Sequence, residues 1–269
     1  DGLSDSKSAG TDFTGSLLLG HQTTGTLDAA TYNTGVGLTA LDHLSTGDYN
    51  TAVGYSALTG NTSGFFNSAM GSNALGTNSS GHNNTASGYA ALRTNSTGTY
   101  NSAMGTNALY SNTTAHYNTA MGYGALQDAN RTADANGYNI ALGYNAGNTG
   151  TNDITTGNLN TLLGASTAAS AAAGTNQSVI GYGASGQANN SVTLGNADVT
   201  AVYMAQDKGA TVYAAGMVIS DAGTIGSASD ANAIAISSGG VVTLSATAAS
   251  TSASSGALVV GGGAGVAAD

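Results

Sequence analysis

A glycine that closes a short apolar step returns every 17 residues along most of this chain. Gly37, Gly54, Gly71, Gly88, Gly105 and Gly122 keep that spacing, Gly143 and Gly164 follow after steps of 21, and Gly181 and Gly195 after steps of 17 and 14. The blocks around them are near copies. Asn50-Thr51-Ala52-Val53-Gly54-Tyr55-Ser56-Ala57-Leu58 is followed by Asn67-Ser68-Ala69-Met70-Gly71-Ser72-Asn73-Ala74-Leu75, and the block begins again at Asn84, Asn101 and Asn118. A fixed short period whose insertions restore the phase leaves one economical fold. Each repeat is a coil of a solenoid, and the extra residues bulge outward.

The coil reads as β, because no 3.6-residue periodicity runs through it while period-two alternation does. Alternation puts Thr51 and Val53 on one face and Ala52 and Gly54 on the other. Seventeen residues suffice for two short strands and two turns, so both are expected in each coil. The residue before the block's Asn is aromatic at Tyr32, Tyr49, Phe66, Tyr100, Tyr117 and Tyr138, with Asn83 interrupting. Coils stacked about 4.8 Å apart would bring these rings into a ladder. After the glycine, Tyr55, Ser72, Tyr89, Thr106 and Tyr123 alternate large and small, which predicts a structural unit of two coils.

The fold class expected is therefore all-β, a parallel β-roll of about ten coils, followed by a smaller β-rich segment. Residues 1–30 read as an irregular segment with an imperfect first coil at Ser16–Gly20, and 31–198 as the roll. A neck-like transition spans 199–220, with strands at 199–204 and 210–216 around the turn Asp207-Lys208-Gly209. Residues 221–269 alternate at 231–237, 241–245 and 257–261 and are almost pure Ala, Ser, Gly, Thr and Val. Such a segment has too few large side chains for a core of its own, which points to intertwined chains or partial disorder. The chain opens on Asp1 and stops at Asp269 without a terminating feature, and reads as a segment of something longer.

Charge narrows the partners. The formal net charge is −10, all 14 acids are Asp, and the basic residues are Lys7, Arg93, Arg131 and Lys208. That is no footprint for phosphate, so nucleic acid is not a partner. No 18-residue apolar run is present for membrane insertion. With no cysteine, stability must come from stacking or from association of chains.

Candidate chemistry is sparse. Gly181-Tyr182-Gly183-Ala184-Ser185-Gly186 matches the letter of a dinucleotide fingerprint, but no helix pattern follows and Gly181 is the repeat glycine in phase. His82 and His116 share one repeat phase, so three chains around an axis would present rings of imidazoles able to hold a metal or an anion. The plainer reading makes them surface turn residues. Between Asp48 and Asp128 there is no Asp, which excludes an Asp-repeat calcium roll. The sequons at Asn61, Asn95 and Asn112 are expected by chance in a chain this rich in Asn, Ser and Thr. No catalytic constellation recurs in phase, so neither an enzyme nor a cofactor is expected.

Two resemblances cover most of the chain. Asn190-Ser191-Val192-Thr193-Leu194-Gly195 resembles the head repeat of trimeric autotransporter adhesins, a left-handed parallel β-roll. The 17-residue block with its Thr-x-Gly-x-Tyr continuation is more similar to repeats of bacteriophage tail-fibre proteins, as are the stretches Leu19–Leu27, Asn190–Tyr213 and Ser252–Ala267. The resemblance implies a parallel homotrimer in a virion tail fibre. Its partners would be other fibre or tail proteins and a host surface glycan or surface protein. The alternative it leaves is an extracellular adhesin on a bacterial cell surface. A third class, a crystal-surface binder, needs paired Thr files, and the in-phase Thr and Ser form one file alone.

Overall fold

Three-residue strands, one per repeat, are the building unit in the computed structural model. It describes residues 6–8, 15–20, 30–130, 136–202, 224–227, 230–236 and 242–244. The chain divides into two units, Asp1–Val202 and Tyr203–Asp269.

In the first unit, β1 (Ser6–Ser8) lies antiparallel against β2 (Leu17–Leu19). Each later strand then stacks in parallel on the one before. These are β3 (Thr34–Val36), β4 (Thr51–Val53), β5 (Ser68–Met70), β6 (Thr85–Ser87), β7 (Ser102–Met104), β8 (Thr119–Met121), β9 (Ile140–Leu142), β10 (Thr161–Leu163), β11 (Gln177–Ile180) and β12 (Ser191–Leu194). The register follows the sequence repeat: Thr51 faces Ser68, Ala52 faces Ala69 and Val53 faces Met70. It also crosses both long steps, pairing Thr119 with Ile140 and Ile140 with Thr161. This is a parallel β-solenoid, and the segment Ser16–Gly20 supplies its first strand.

The long steps resolve as excursions. Residues 131–135 of the first lie outside the described residues. In the second, Ile154 N–H donates to the Gly147 carbonyl at 3.0 Å and closes the loop, Asp153 Oδ1 accepts from the backbone of Thr149 and Gly150, and Ile154 re-enters the core fully buried.

Among the described residues the expected second strand of each coil does not form. Ser56 and Leu58 have φ of 54° and 52°, and the same left-handed turn recurs at Asn73 and Leu75, Ala90 and Leu92, and Asn107 and Leu109. Residues in that region cannot sit in a pleated strand. The hydrogen bonds between coils nevertheless continue: Ser56 N–H donates to Leu38 of the preceding coil and Leu58 N–H to Ala74 of the following one, each at 3.0 Å. A left-handed non-glycine residue costs about 1–2 kcal/mol. Those satisfied amides and the full burial of Leu41, Leu58, Leu75, Leu92, Leu109 and Leu126 offset it, since burying a Leu side chain contributes about 1.5–3 kcal/mol.

The core is thin and half polar. Beside the Leu file it holds one strand alanine per coil from β4 to β9, such as Ala52, Ala69 and Ala103, with Leu162 and Val179 in that place in β10 and β11, and a file of buried asparagines. Asn33 Oδ1 accepts both the backbone N–H and the side-chain amide of Asn50, and the pattern repeats through Asn67, Asn84, Asn101, Asn118, Asn139 and Asn160. Buried amides are tolerated because each finds the next coil's donor.

The second unit contains an antiparallel sheet of β13 (Thr224–Ser227), β14 (Asp230–Ile236) and β15 (Val242–Leu244). The strands expected at 210–216 and 257–261 lie outside the described residues, and residues 199–202 of the strand expected at 199–204 form none.

Candidate binding surface

Period-two alternation in a strand whose inner residue is Ala turns two side chains per coil outward. Along the sheet this makes a hydroxyl file, Thr34, Thr51, Ser68, Thr85, Ser102 and Thr119, beside an aliphatic file. Val36, Val53, Met70, Met104, Met121, Leu142, Leu163, Ile180 and Leu194 are all exposed, Met70 by 61%. Ser87 interrupts the aliphatic file, and a notch of about 150 Å³ opens there between Met70, Thr85 and Ser87. A larger concavity of about 570 Å³ lies at the last coil, lined by Gly183, Thr193, Asn196 and Asp198.

The repeat glycines stack in one file from Gly20 onward. Gly37, Gly54, Gly71, Gly88, Gly105, Gly122, Gly143 and Gly164 have φ of 131–141°, with Gly181 at 123° and Gly195 at 84°. A Cβ on one of them meets the backbone of the next: on Gly54 it would lie 2.6 Å from the Gly71 carbonyl oxygen. Only glycine fits that approach.

The aromatic positions form stacks. Tyr32, Tyr49 and Phe66 follow one another with ring centroids 4.9 Å apart, and Tyr100, Tyr117 and Tyr138 at 5.1 Å. Asn83 does not end the run of rings. Phe66 meets Phe65 edge-on, Phe65 stacks on His82 at 4.5 Å, and His82 meets Tyr100 edge-on at 5.9 Å. All the aromatic positions sit at φ between 48° and 59°, and so does Asn83 at 56°. Asparagine is among the residues that tolerate this region best, which explains why it substitutes there.

His82 is thus a member of the ring run. His116, two coils on, takes the Thr99 N–H on its Nδ1 at 3.0 Å, with Thr99 Oγ1 at 2.7 Å. Among the described residues no three His or Asp side chains converge. The predicted large–small alternation after the glycine holds from Tyr55 to Tyr123 and then ends, since Tyr144 stacks on Tyr123 at 5.4 Å. Gly181 of the fingerprint-like stretch follows β11 and belongs to the glycine file, with no helix after it.

Sequence reasoning missed the interior. Asn61, Asn95 and Asn112, read as sequons, are fully buried, and with Asn78 they form a second amide ladder in which each Nδ2 donates to the preceding Oδ1 at 2.7–2.8 Å. A buried Asn cannot accept a glycan in the folded chain. The 17-residue spacing of these four residues was the available signal. The ladder stops where Ala129 takes the next position, and Asn112 Oδ1 is left without a partner among the described residues.

Among the described residues no helix is long and apolar enough to cross a membrane. The chain matches no protein-family model, no curated protein and no solved structure.

Proposed function

We propose that this chain is a structural and adhesive fibre segment: three parallel copies form a rod in a phage tail fibre that attaches a virion to its host cell surface. The observation that carries the reading is the set of exposed apolar files along the whole solenoid, Val36 through Leu194 on the sheet and Tyr32 through Tyr138 beside it. A strip of this length, broken on the sheet at Ser87, is more apolar surface than a monomer ordinarily leaves in water, so copies of the chain cover part of it. The rest faces other fibre or tail proteins and a receptor, a surface glycan or a surface protein. The coil-to-coil hydrogen bonding suits a load-bearing rod, and no catalytic or cofactor role is assigned.

A bacterial surface adhesin or another extracellular filament is the second reading, favoured by the 14-residue final step from Gly181 to Gly195, the length that resembles the adhesin head. A complete gene with a secretion signal and a membrane anchor would decide for it. Sedimentation equilibrium tests the assembly: three chain masses are expected, and a stable monomer overturns the trimer. Binding of labelled protein to intact bacterial cells tests attachment.

A further inference from the structure

The strands β3 to β12 turn a face without charge toward solvent. None of their residues is ionisable, although the chain carries a net charge of −10. Asp42, Asp48, Arg93, Asp128 and Asp153 all lie between strands. The aliphatic file on this face, Val36 through Leu194, has nine exposed members. The ring file beside it is in a different position, because Tyr32, Tyr49 and Phe66, and again Tyr100, Tyr117 and Tyr138, already spend their faces on one another within the chain.

Spacing, charge and area together name an occupant for the sheet face. Its side chains recur at the strand spacing of about 4.8 Å over ten strands, and an object that fills such a face level by level must have the same axial repeat. A second copy of this chain has it. Two copies of an uncharged face also meet without like-charge repulsion, although each chain is acidic as a whole. Ten levels by three residues give a face of roughly 500 Å² in projection, the same order as the roughly 800 Å² that each partner contributes to a standard interface. Composition fixes the direction. The outward pair is Thr85 and Ser87 in β6 but Ile140 and Leu142 in β9, so antiparallel copies centred on the face would set small hydroxyls against bulky aliphatics. Parallel copies in register set Ile140 beside Ile140 and Thr85 beside Thr85, where hydroxyls on one level can bond to each other.

We propose that the outward face of β3 to β12 is the surface on which copies of this chain meet, parallel and in register, and that the ring file from Tyr32 to Tyr138 is left for other partners. This rests on the trimeric reading above and assigns which of the two exposed files the copies cover. The aliphatic file supplies the apolar contact, the Thr and Ser file pairs level with level, and the bulkier strands from β9 onward fix the register.

The chain has no cysteine, so single-cysteine variants of the full chain test the contact directly. Met70→Cys and Leu163→Cys, on β5 and β10, are each treated with a short bismaleimide, alone and after co-expression of the two. Each variant alone is expected to give a cross-linked dimer, and Thr97→Cys on an exposed turn is expected to give none. Cross-linking that needs both variants together means antiparallel copies, and cross-linking of Thr97→Cys to the same extent means random collision; either overturns the proposal. Sedimentation equilibrium reads the strength of the contact. Met104→Ser/Met121→Ser is expected to weaken association about ten-fold or more. Serine already stands in this file at Ser87, and an unchanged circular dichroism spectrum shows that the variant folds. Tyr117→Asn/Tyr138→Asn, for which Asn83 is the precedent in the ring file, is expected to associate as the parent does. If the ring variant separates the chains and the methionine variant does not, the trimer stands and this assignment falls. If the parent itself is a stable monomer, the trimeric reading falls and this assignment with it.

Discussion

The side-chain carbonyl of Asn50 accepts two hydrogen bonds from Asn67, one from its backbone N–H at 3.0 Å and one from its side-chain amide at 3.1 Å. The Asn67 amide also donates to the Gly81 carbonyl at 2.9 Å, so one side chain ties three stretches of two coils. Such an amide is a structural staple inside the solenoid, buried completely and fully paired. It does what a large apolar side chain does in a thicker core.

Replacing one staple should therefore be costly. In Asn84→Ala the backbone N–H of Asn101 loses its acceptor, and the amides of Asn84 and Asn101 lose their shared ladder bonds. A buried donor left unpaired costs about 1–3 kcal/mol and each lost bond about 1 kcal/mol, so a destabilisation of about 3 kcal/mol is expected. Thr97→Ala, on an exposed turn, should stay within about 0.5 kcal/mol of the parent. Denaturant unfolding of the two variants measures the difference, and equal midpoints would remove the ladder's claim to stability.

The left-handed leucines offer a sharper test. Leu92 is fully buried at φ 51°, whereas Leu162 is equally buried within β10 and has no such conformation. Leu→Ile conserves volume and ordinarily costs less than about 1.5 kcal/mol after repacking. A β-branched residue at positive φ is a genuine outlier. Leu162→Ile should be tolerated and Leu92→Ile should cost about 2 kcal/mol more, because strain of about 1–3 kcal/mol is added at that backbone. Comparable melting temperatures for the two would show that the corner of the coil relaxes.

These residues also mark what the sequence discloses. The parallel stacking, the outward Thr51 and Val53, the inward Ala52 and the glycine file all follow from period and alternation, and Tyr32 to Phe66 do stack. Ala57-Leu58 looks like strand material because composition carries no sign of φ, and only the recurrence of Asn or Gly beside it, at Asn73, Asn107 and Gly124, hints at a left-handed turn. The amide ladders at Asn50 and Asn61 were hidden by the habit of placing Asn outside, a rule that fails when the next coil supplies a donor every 17 residues. Asn83 read as a gap in the ring file, whereas Phe65 and His82 carry the rings past it, a contact between neighbouring files that no single-file count contains.

His82 should prove to be a ring before it is a ligand. Its imidazole lies 7° from parallel to Phe65, and Tyr100 meets its edge. His82→Phe keeps those contacts and removes the nitrogens, and is expected to melt as the parent does. His82→Ala loses them and should cost about 0.5–1.5 kcal/mol. Added Zn²⁺ should leave the melting of parent and His82→Phe alike; a Zn²⁺-dependent rise in the parent that His82→Phe abolishes would instead assign the ring a metal.

The glycine file can be tested so that backbone strain and steric overlap separate. Gly105 and Gly150 both have positive φ, +131° and +81°, but a Cβ on Gly150 meets nothing within 4 Å, while one on Gly105 would lie 2.6 Å from the Gly122 carbonyl carbon and against its oxygen. Gly150→Ala carries conformational strain alone, about 1–2 kcal/mol. Gly105→Ala carries strain and must also push two coils apart, breaking the local hydrogen bonds of Gly105 to Ser87 and of Gly122 to Met104, for a further loss of about 1–3 kcal/mol. In an assembly of three chains the loss recurs in each copy at one level. Gly105→Ala should therefore melt well below Gly150→Ala. If both variants melt together, the file is set by backbone conformation alone and close approach of the coils is not what selects glycine there.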